Sequence, residues 1–153
     1  PGSYRGKTVT DMTLNIDCSP TIIDLAGLSV SPAVQGRSLK PFLENKRPAD
    51  WRKEWFYEHI FEYPTLVKSE GIRTEQWKYV RYIDQDPVYE QLFDIKNDPQ
   101  EIDNLALKPE KSNLLKDMRE RYKILRKECV CDQQLHPKYK GRPDPKIKDI
   151  ASG

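Results

Sequence analysis

Three runs decide the fold: Phe56-Tyr57-Glu58-His59-Ile60, Gly71-Ile72-Arg73-Thr74-Glu75-Gln76-Trp77-Lys78-Tyr79-Val80-Arg81-Tyr82-Ile83, and Tyr89-Glu90-Gln91-Leu92-Phe93-Asp94-Ile95. Each is rich in aromatic and β-branched residues and bounded by polar breaks, which is the composition of short strands. The break at Glu75-Gln76 divides the middle run in two, and Asp84-Gln85-Asp86-Pro87 reads as a turn. The expected core is an antiparallel meander of three to four strands, beginning near Glu54. In the third strand Lys78, Val80 and Tyr82 share one face, and Tyr79, Arg81 and Ile83 the other. A sheet this small needs a helix on one face to be stable.

The chain supplies one. From about Lys111 to Glu128, Leu114, Leu115, Met118, Tyr122 and Leu125 recur at helical spacing, with Lys116, Glu120, Lys123 and Lys127 opposite. This helix is expected to bury the Trp, Tyr and Ile faces of the meander, which makes the fold class α+β. Asp98-Pro99-Gln100-Glu101 carries the residue types of a further helix start: a capping Asp, a Pro at the first position and a Glu for a reciprocal capping box.

Upstream, Asp17-Cys18-Ser19-Pro20 reads as a helix entry. Ser19 is expected to cap the free N–H groups and Pro20 to sit at the first helical position. Ile22, Ile23, Leu25 and Ala26 follow, and Gly27 suits the left-handed stop. Two turns are marginal in isolation, so this helix must dock on something large and apolar. Residues 28–50 read as a loop with one helical turn near Ser38–Leu43. The organisation expected is 1–50 as a helix and connecting loop, 51–128 as the meander-plus-helix unit, and 129–153 as an extended or disordered tail.

Composition bounds the function. The 153 residues are 33% charged and 37% hydrophobic, a thin apolar supply for a full-sized core. The 26 basic and 24 acidic residues are mixed along the chain, which argues against a nucleic-acid partner. Lys138, Lys140, Arg142, Lys146 and Lys148 crowd the tail, whose composition is that of a solvated segment. Cys18, Cys129 and Cys131 fit no four-ligand zinc spacing. No run approaches the roughly 18 apolar residues of a membrane span. The chain opens on Pro1-Gly2-Ser3 without Met, as an excised piece of a longer protein would.

An ordered set of short motifs now lines up. Ile16-Asp17-Cys18-Ser19-Pro20-Thr21-Ile22-Ile23-Asp24-Leu25-Ala26-Gly27 precedes Gln35-Gly36-Arg37-Ser38-Leu39. Then come Ile72-Arg73-Thr74 with Lys78-Tyr79, Leu92-Phe93-Asp94-Ile95 with Asp98-Pro99 and Glu101, and Asn104-Leu105-Ala106. Over roughly residues 10 to 127 the chain resembles the C-terminal part of type I, formylglycine-dependent sulfatases of the alkaline-phosphatase superfamily. Tyr57-Glu58-His59 followed by Glu62-Tyr63-Pro64 is most similar to sulfatases of sulfated sugars.

The resemblance implies a missing N-terminal α/β sulfatase domain as partner, and that domain would hold the catalytic formylglycine and a calcium ion. The helix at 19–26 would belong to it, and the meander would border the substrate cleft. It also implies a periplasmic, secreted or lysosomal parent. Within this chain no cofactor, metal ligand or catalytic residue is expected. Cys18-x-Pro20 opens like the formylglycine motif, but the Arg required four residues after the Cys is Ile22 here. A sulfate site also wants several converging cationic or N–H donors plus a metal, and no such cluster stands out.

The implied contribution is to substrate binding, by His59 toward a sugar hydroxyl and by Glu58 and Glu62 beside it. Tyr57 and Tyr63 are expected to pack, and Arg73 to pair with Asp94 or a carboxylate of the large domain. Two other functions fit the same residues: a related phosphoryl-ester hydrolase, and a non-catalytic protein or glycan interaction module.

Overall fold

The computed structural model describes residues 6, 8–60 and 66–129. The chain divides into two compact units, Pro1–Lys53 and Glu54–Gly153.

In the first unit, α1 (Cys18–Leu25) follows a single 3-10 turn over Asn15–Asp17, and α2 is Lys40–Leu43. The helix entry differs from the expectation. Asp17, not Ser19, stands at the N-terminal boundary of α1, and Ser19 makes no cap. The Asp17 carboxylate instead reaches back to the Leu14 N–H at 2.8 Å and across to the Arg37 N–H at 2.8 Å. It is fully buried and also pairs with Arg52, whose Nη2 lies 2.7 Å from Oδ1. The 3-10 turn leads directly into α1, and its Asn15 carbonyl accepts the Cys18 N–H, so the helix starts without a serine cap. At the other end Gly27 has φ +74°. The Leu28 and Gly27 N–H groups bond the Ile23 and Asp24 carbonyls, the paired bonds of a Schellman stop.

The Gln35–Leu39 motif is pinned to the same helix. Leu39 N–H donates to Thr21 Oγ1 (2.8 Å), Ser38 Oγ to Asp24 Oδ2 (2.6 Å) and Lys40 Nζ to Asp24 Oδ1 (3.1 Å). Gly36 passes so close that a Cβ there would fall 2.0 Å from the Ile16 carbonyl oxygen. Trp51, buried, stacks under the Arg37 and Arg52 guanidinium groups at 4.7 and 4.9 Å and donates Nε1–H to the Met12 carbonyl at 2.8 Å. The motifs of this unit are thus a structural clasp. Its helix leaves Ile22, Leu25 and, just beyond, Leu28 exposed at 68%, 55% and 65%.

The second unit is a four-stranded antiparallel meander in sequence order: β1 (Glu54–His59), β2 (Ser69–Thr74), β3 (Trp77–Tyr82) and β4 (Tyr89–Asp94). The β2–β3 hairpin closes where the break was read, because Thr74 Oγ1 accepts the Trp77 N–H at 2.8 Å. Register puts Phe56, Ile72, Tyr79 and Leu92 in one row. Onto that row pack Leu115, Met118 and Tyr122 of α3 (Ser112–Cys129), with Leu105 beside them. Burying a side chain as completely as Met118 contributes about 1.5–3 kcal/mol.

The stretch after β4 corrects a second expectation. Residues 98–101 form a turn, not a helix, and Glu101 takes φ +55°. The Asp98 carboxylate accepts the Asp103 N–H at 2.9 Å, while Glu101 turns away to Lys78. Both halves of the anticipated capping box are therefore engaged elsewhere. Asn104 then does work the sequence did not announce. Its amide accepts from Leu92 N (3.0 Å) and donates to the Glu90 carbonyl (3.1 Å), satisfying backbone groups on edge strand β4 that would otherwise lack a partner. The pairing expected between Arg73 and Asp94 does not form. Asp94 accepts from Gln76 (3.1 Å) and Asn97 (2.8 Å), and by register Arg73 projects from the opposite face of the sheet.

Candidate functional site

The two faces of the sheet carry different chemistry. On the α3 face, Glu70, Arg81 and Glu90 are consecutive cross-strand neighbours from β2, β3 and β4. Glu70 and Arg81 are each 1% exposed. Helix α3 closes over them. Tyr122 Oη donates to Glu70 Oε2 at 2.5 Å and Arg126 Nε to the same oxygen at 2.9 Å. Arg119 Nε donates to Glu90 Oε1 at 3.0 Å, and Tyr79 Oη donates to that oxygen as well. Burial by itself would raise the Glu90 pKa, but Arg119 and Tyr79 outweigh it and hold the carboxyl below its ordinary value. Burial drives the phenols of Tyr79 and Tyr122 up, and the adjacent carboxylates drive them further. The Arg81 guanidinium stands over the Tyr122 ring at 5.9 Å, and its Nε is buried without a hydrogen-bond partner among the described residues. Closed over by α3, this face is the structural one.

The opposite face is concave, an open hollow of about 620 Å³. Its floor is apolar, with Val80 and Phe93 buried, and its walls are polar: Tyr57 and His59 of β1, Lys78 and Tyr82 of β3, Gln91 of β4, and Glu101 from the following turn. Lys78 Nζ lies 2.5 Å from Glu101 Oε2, and Tyr82 Oη donates to Gln91 Oε1 at 2.9 Å. The Tyr57 ring crosses Gly71, its register partner; a Cβ at Gly71 would meet Tyr57 Oη at 2.6 Å and the Tyr79 carbonyl oxygen at 2.2 Å. That close approach accounts for a glycine inside a central strand. Burial raises the Tyr57 pKa, with Tyr82 and Glu101 adding to the shift, and its hydroxyl is buried without a hydrogen-bond partner among the described residues.

Of the residues singled out from sequence, His59 ends β1, is exposed and lines this concavity. Glu58 is exposed too and borders it, but one step of alternation puts it in the register row of Glu70, toward the α3 side. Glu62, like Tyr63, lies outside the described residues. Lys78, Tyr82, Gln91 and Glu101 were not anticipated at the site. The alternation of Lys78, Val80 and Tyr82 signalled a shared face, but only the register joins that face to His59. Cys18 is an exposed free thiol at the start of α1, with exposed Ile22 where an arginine would be required. No three His, Cys, Asp or Glu side chains among the described residues are grouped to hold a metal ion. Among the described residues, neither the surroundings of Cys18 nor any carboxylate group fits a formylglycine or a calcium site. No helix among the described residues is long and apolar enough to cross a membrane.

The family described as "N-sulphoglucosamine sulphohydrolase, C-terminal" matches residues 1–128. The chain belongs to this sulfatase family of the alkaline-phosphatase superfamily. It is similar to the N-acetylglucosamine-6-O-sulfatase of Bacteroides thetaiotaomicron, with 39% identity over 118 residues, covering 74% of this chain and 21% of that protein. Among solved structures it matches an enzyme in complex with its substrate D-glucosamine-2-N,6-O-disulfate, at TM-score 0.74 and 34% identity, over 94% of this chain and 28% of the other. It also matches the phosphonate monoester hydrolase of Agrobacterium radiobacter, at TM-score 0.69 and 28% identity, over 82% of this chain and 27% of that one. The sulfatase C-terminal domain thus spans about a fifth of the length of the first curated relative it matches.

Proposed function

We propose that this chain is the C-terminal piece of a sulfuric ester hydrolase acting on a sulfated carbohydrate, and that it shapes the substrate cleft without supplying the reactive groups. The observation that carries the reading is the similarity over most of the chain to a glucosamine-disulfate-bound enzyme and to an N-acetylglucosamine sulfatase. The formylglycine and calcium would reside in the preceding α/β domain. Residues 1–50 would be the end of that domain and 51–128 the cleft-bordering unit. The exposed apolar residues of α1 support this division, since two turns showing Ile22 and Leu25 to water call for a body to cover them. His59, with Glu58 and Glu62, would meet the sugar.

The similarity to a phosphonate monoester hydrolase favours a second reading, in which the parent cleaves a phosphoryl or phosphonyl ester and the same face meets that substrate. The test is His59→Ala in the full-length parent. Under the first reading it lowers kcat/KM on a sugar sulfate by roughly three- to tenfold, the worth of one hydrogen bond. It leaves a small aryl sulfate nearly unaffected. Equal losses on both substrates remove His59 from sugar recognition.

A further inference from the structure

We propose that the concave sheet face opposite α3 is a subsite for a neutral sugar ring, distinct from any contact with the sulfate group. The inference rests on the carbohydrate reading above and goes beyond it by naming what this face takes. Three observations carry it.

The first is charge. Lys78 and Glu101 neutralise one another across 2.5 Å at the site, so the lining has no cationic surplus. An oxyanion would find one already-matched lysine where recognition needs several converging donors. A polyol is suited by the mixture that is present: an ammonium, a carboxylate, an amide and tyrosine hydroxyls.

The second is shape and polarity. Val80 and Phe93 make an apolar floor between the Tyr57 and Tyr82 rings. Tyr82 also meets the Tyr89 ring at 5.4 Å centroid separation. The lining that meets solvent is mainly polar, with the apolar residues beneath it, a mixture that suits a ligand rich in hydroxyls. A pyranose offers the complement, with an apolar C–H face and an equatorial ring of hydroxyls.

The third is Tyr57. A buried hydroxyl without a partner costs about 1–3 kcal/mol. Such a group calls for an explanation, and a ligand that completes it is one. Glu101, whose charge acts on this phenol, sits at φ +55° on a turn.

The experiment is a heteronuclear NMR titration of the 153-residue chain with N,N′-diacetylchitobiose, its 6-O-sulfated form, and inorganic sulfate. Both disaccharides should move the amides of Ser69, Lys78, Tyr82 and Gln91, with affinities that salt hardly changes; inorganic sulfate should move none of them. Gln91→Leu and Tyr57→Phe should each weaken the neutral disaccharide by roughly three- to tenfold. Tyr57→Phe should leave the melting temperature unchanged or raised, which a purely structural hydroxyl would not do. If only the sulfated sugar binds, and shifts only residues around His59, the subsite is overturned while the carbohydrate reading stands. If neither sugar shifts any residue of the chain, both fall. If Tyr57→Phe and Gln91→Leu bind the neutral sugar as tightly as the parent chain, the assignment of this face is overturned.

Discussion

The two faces of one four-stranded sheet differ in what covers them. Under α3, acidic and basic side chains from three strands meet Tyr122 and arginines of the helix, and Glu70 and Arg81 retain almost no exposure. On the far side, tyrosines, a lysine and a glutamine line an open hollow over two buried apolar residues. The same backbone register generates both, because alternation along a strand sends neighbours to opposite faces. The lesson is that charge content alone did not mark the site. The more heavily charged face is the structural one under α3, and the face left open by the helix, with no cationic surplus, is the candidate for binding.

The comparison can be broken most forcefully from the helix side. Leu115→Asp places a charge with no partner in the apolar cluster that includes Ile72 and Leu92, a cost of several kcal/mol against a total stability of about 5–15 kcal/mol. Loss of the cooperative far-UV circular dichroism melt is expected, and a variant that melts like the parent would mean α3 does not seal this face. Next in size is Glu70→Ala, which leaves Arg126 and Tyr122 without their shared acceptor inside the interface. Breaking a buried pair from one side costs about 3–5 kcal/mol, measurable by urea denaturation.

The smallest effect is acid sensitivity. The folded-state pKa of Glu90 lies below its ordinary value of 4.5. Its stabilisation is therefore complete above that value and is lost as pH falls through the depressed folded pKa. Melting temperature should drop from about pH 4.5 downward, and Glu90→Gln should lower stability at neutral pH while flattening that acid limb. An unchanged limb in Glu90→Gln would place the acid response elsewhere, with Asp17 the next candidate because its pKa is depressed too.

Much of the fold was legible because it rests on periodicity. The strands, the break at Glu75-Gln76 and the stripe from Leu114 to Leu125 all follow from residue spacing and are formed as read. What failed was local chemistry with a competing tertiary partner. Asp98 and Glu101 have the composition of a capping box, yet Lys78 claims Glu101 and the backbone of Asp103 claims Asp98. Ser19 has the chemistry of a cap, but a 3-10 turn runs into α1 and supplies the Asn15 carbonyl to the Cys18 N–H. Such choices depend on residues distant in sequence, which spacing does not reveal.

The site was legible only at its edge. His59 stood out as a polar residue closing a strand, whereas Tyr57, Lys78, Tyr82 and Gln91 became one surface only once three strands were placed in register. The adjacency of Glu58 and His59 also concealed that the two belong to opposite faces of the strand.

The account's central claim is that this chain shapes a cleft whose reactive groups are encoded elsewhere. The direct measurement is turnover of an aryl sulfate by the purified 153-residue chain, with calcium present and folding verified by near-UV circular dichroism. The account predicts no hydrolysis above a buffer blank. Hydrolysis that disappears in Cys18→Ala would contradict it.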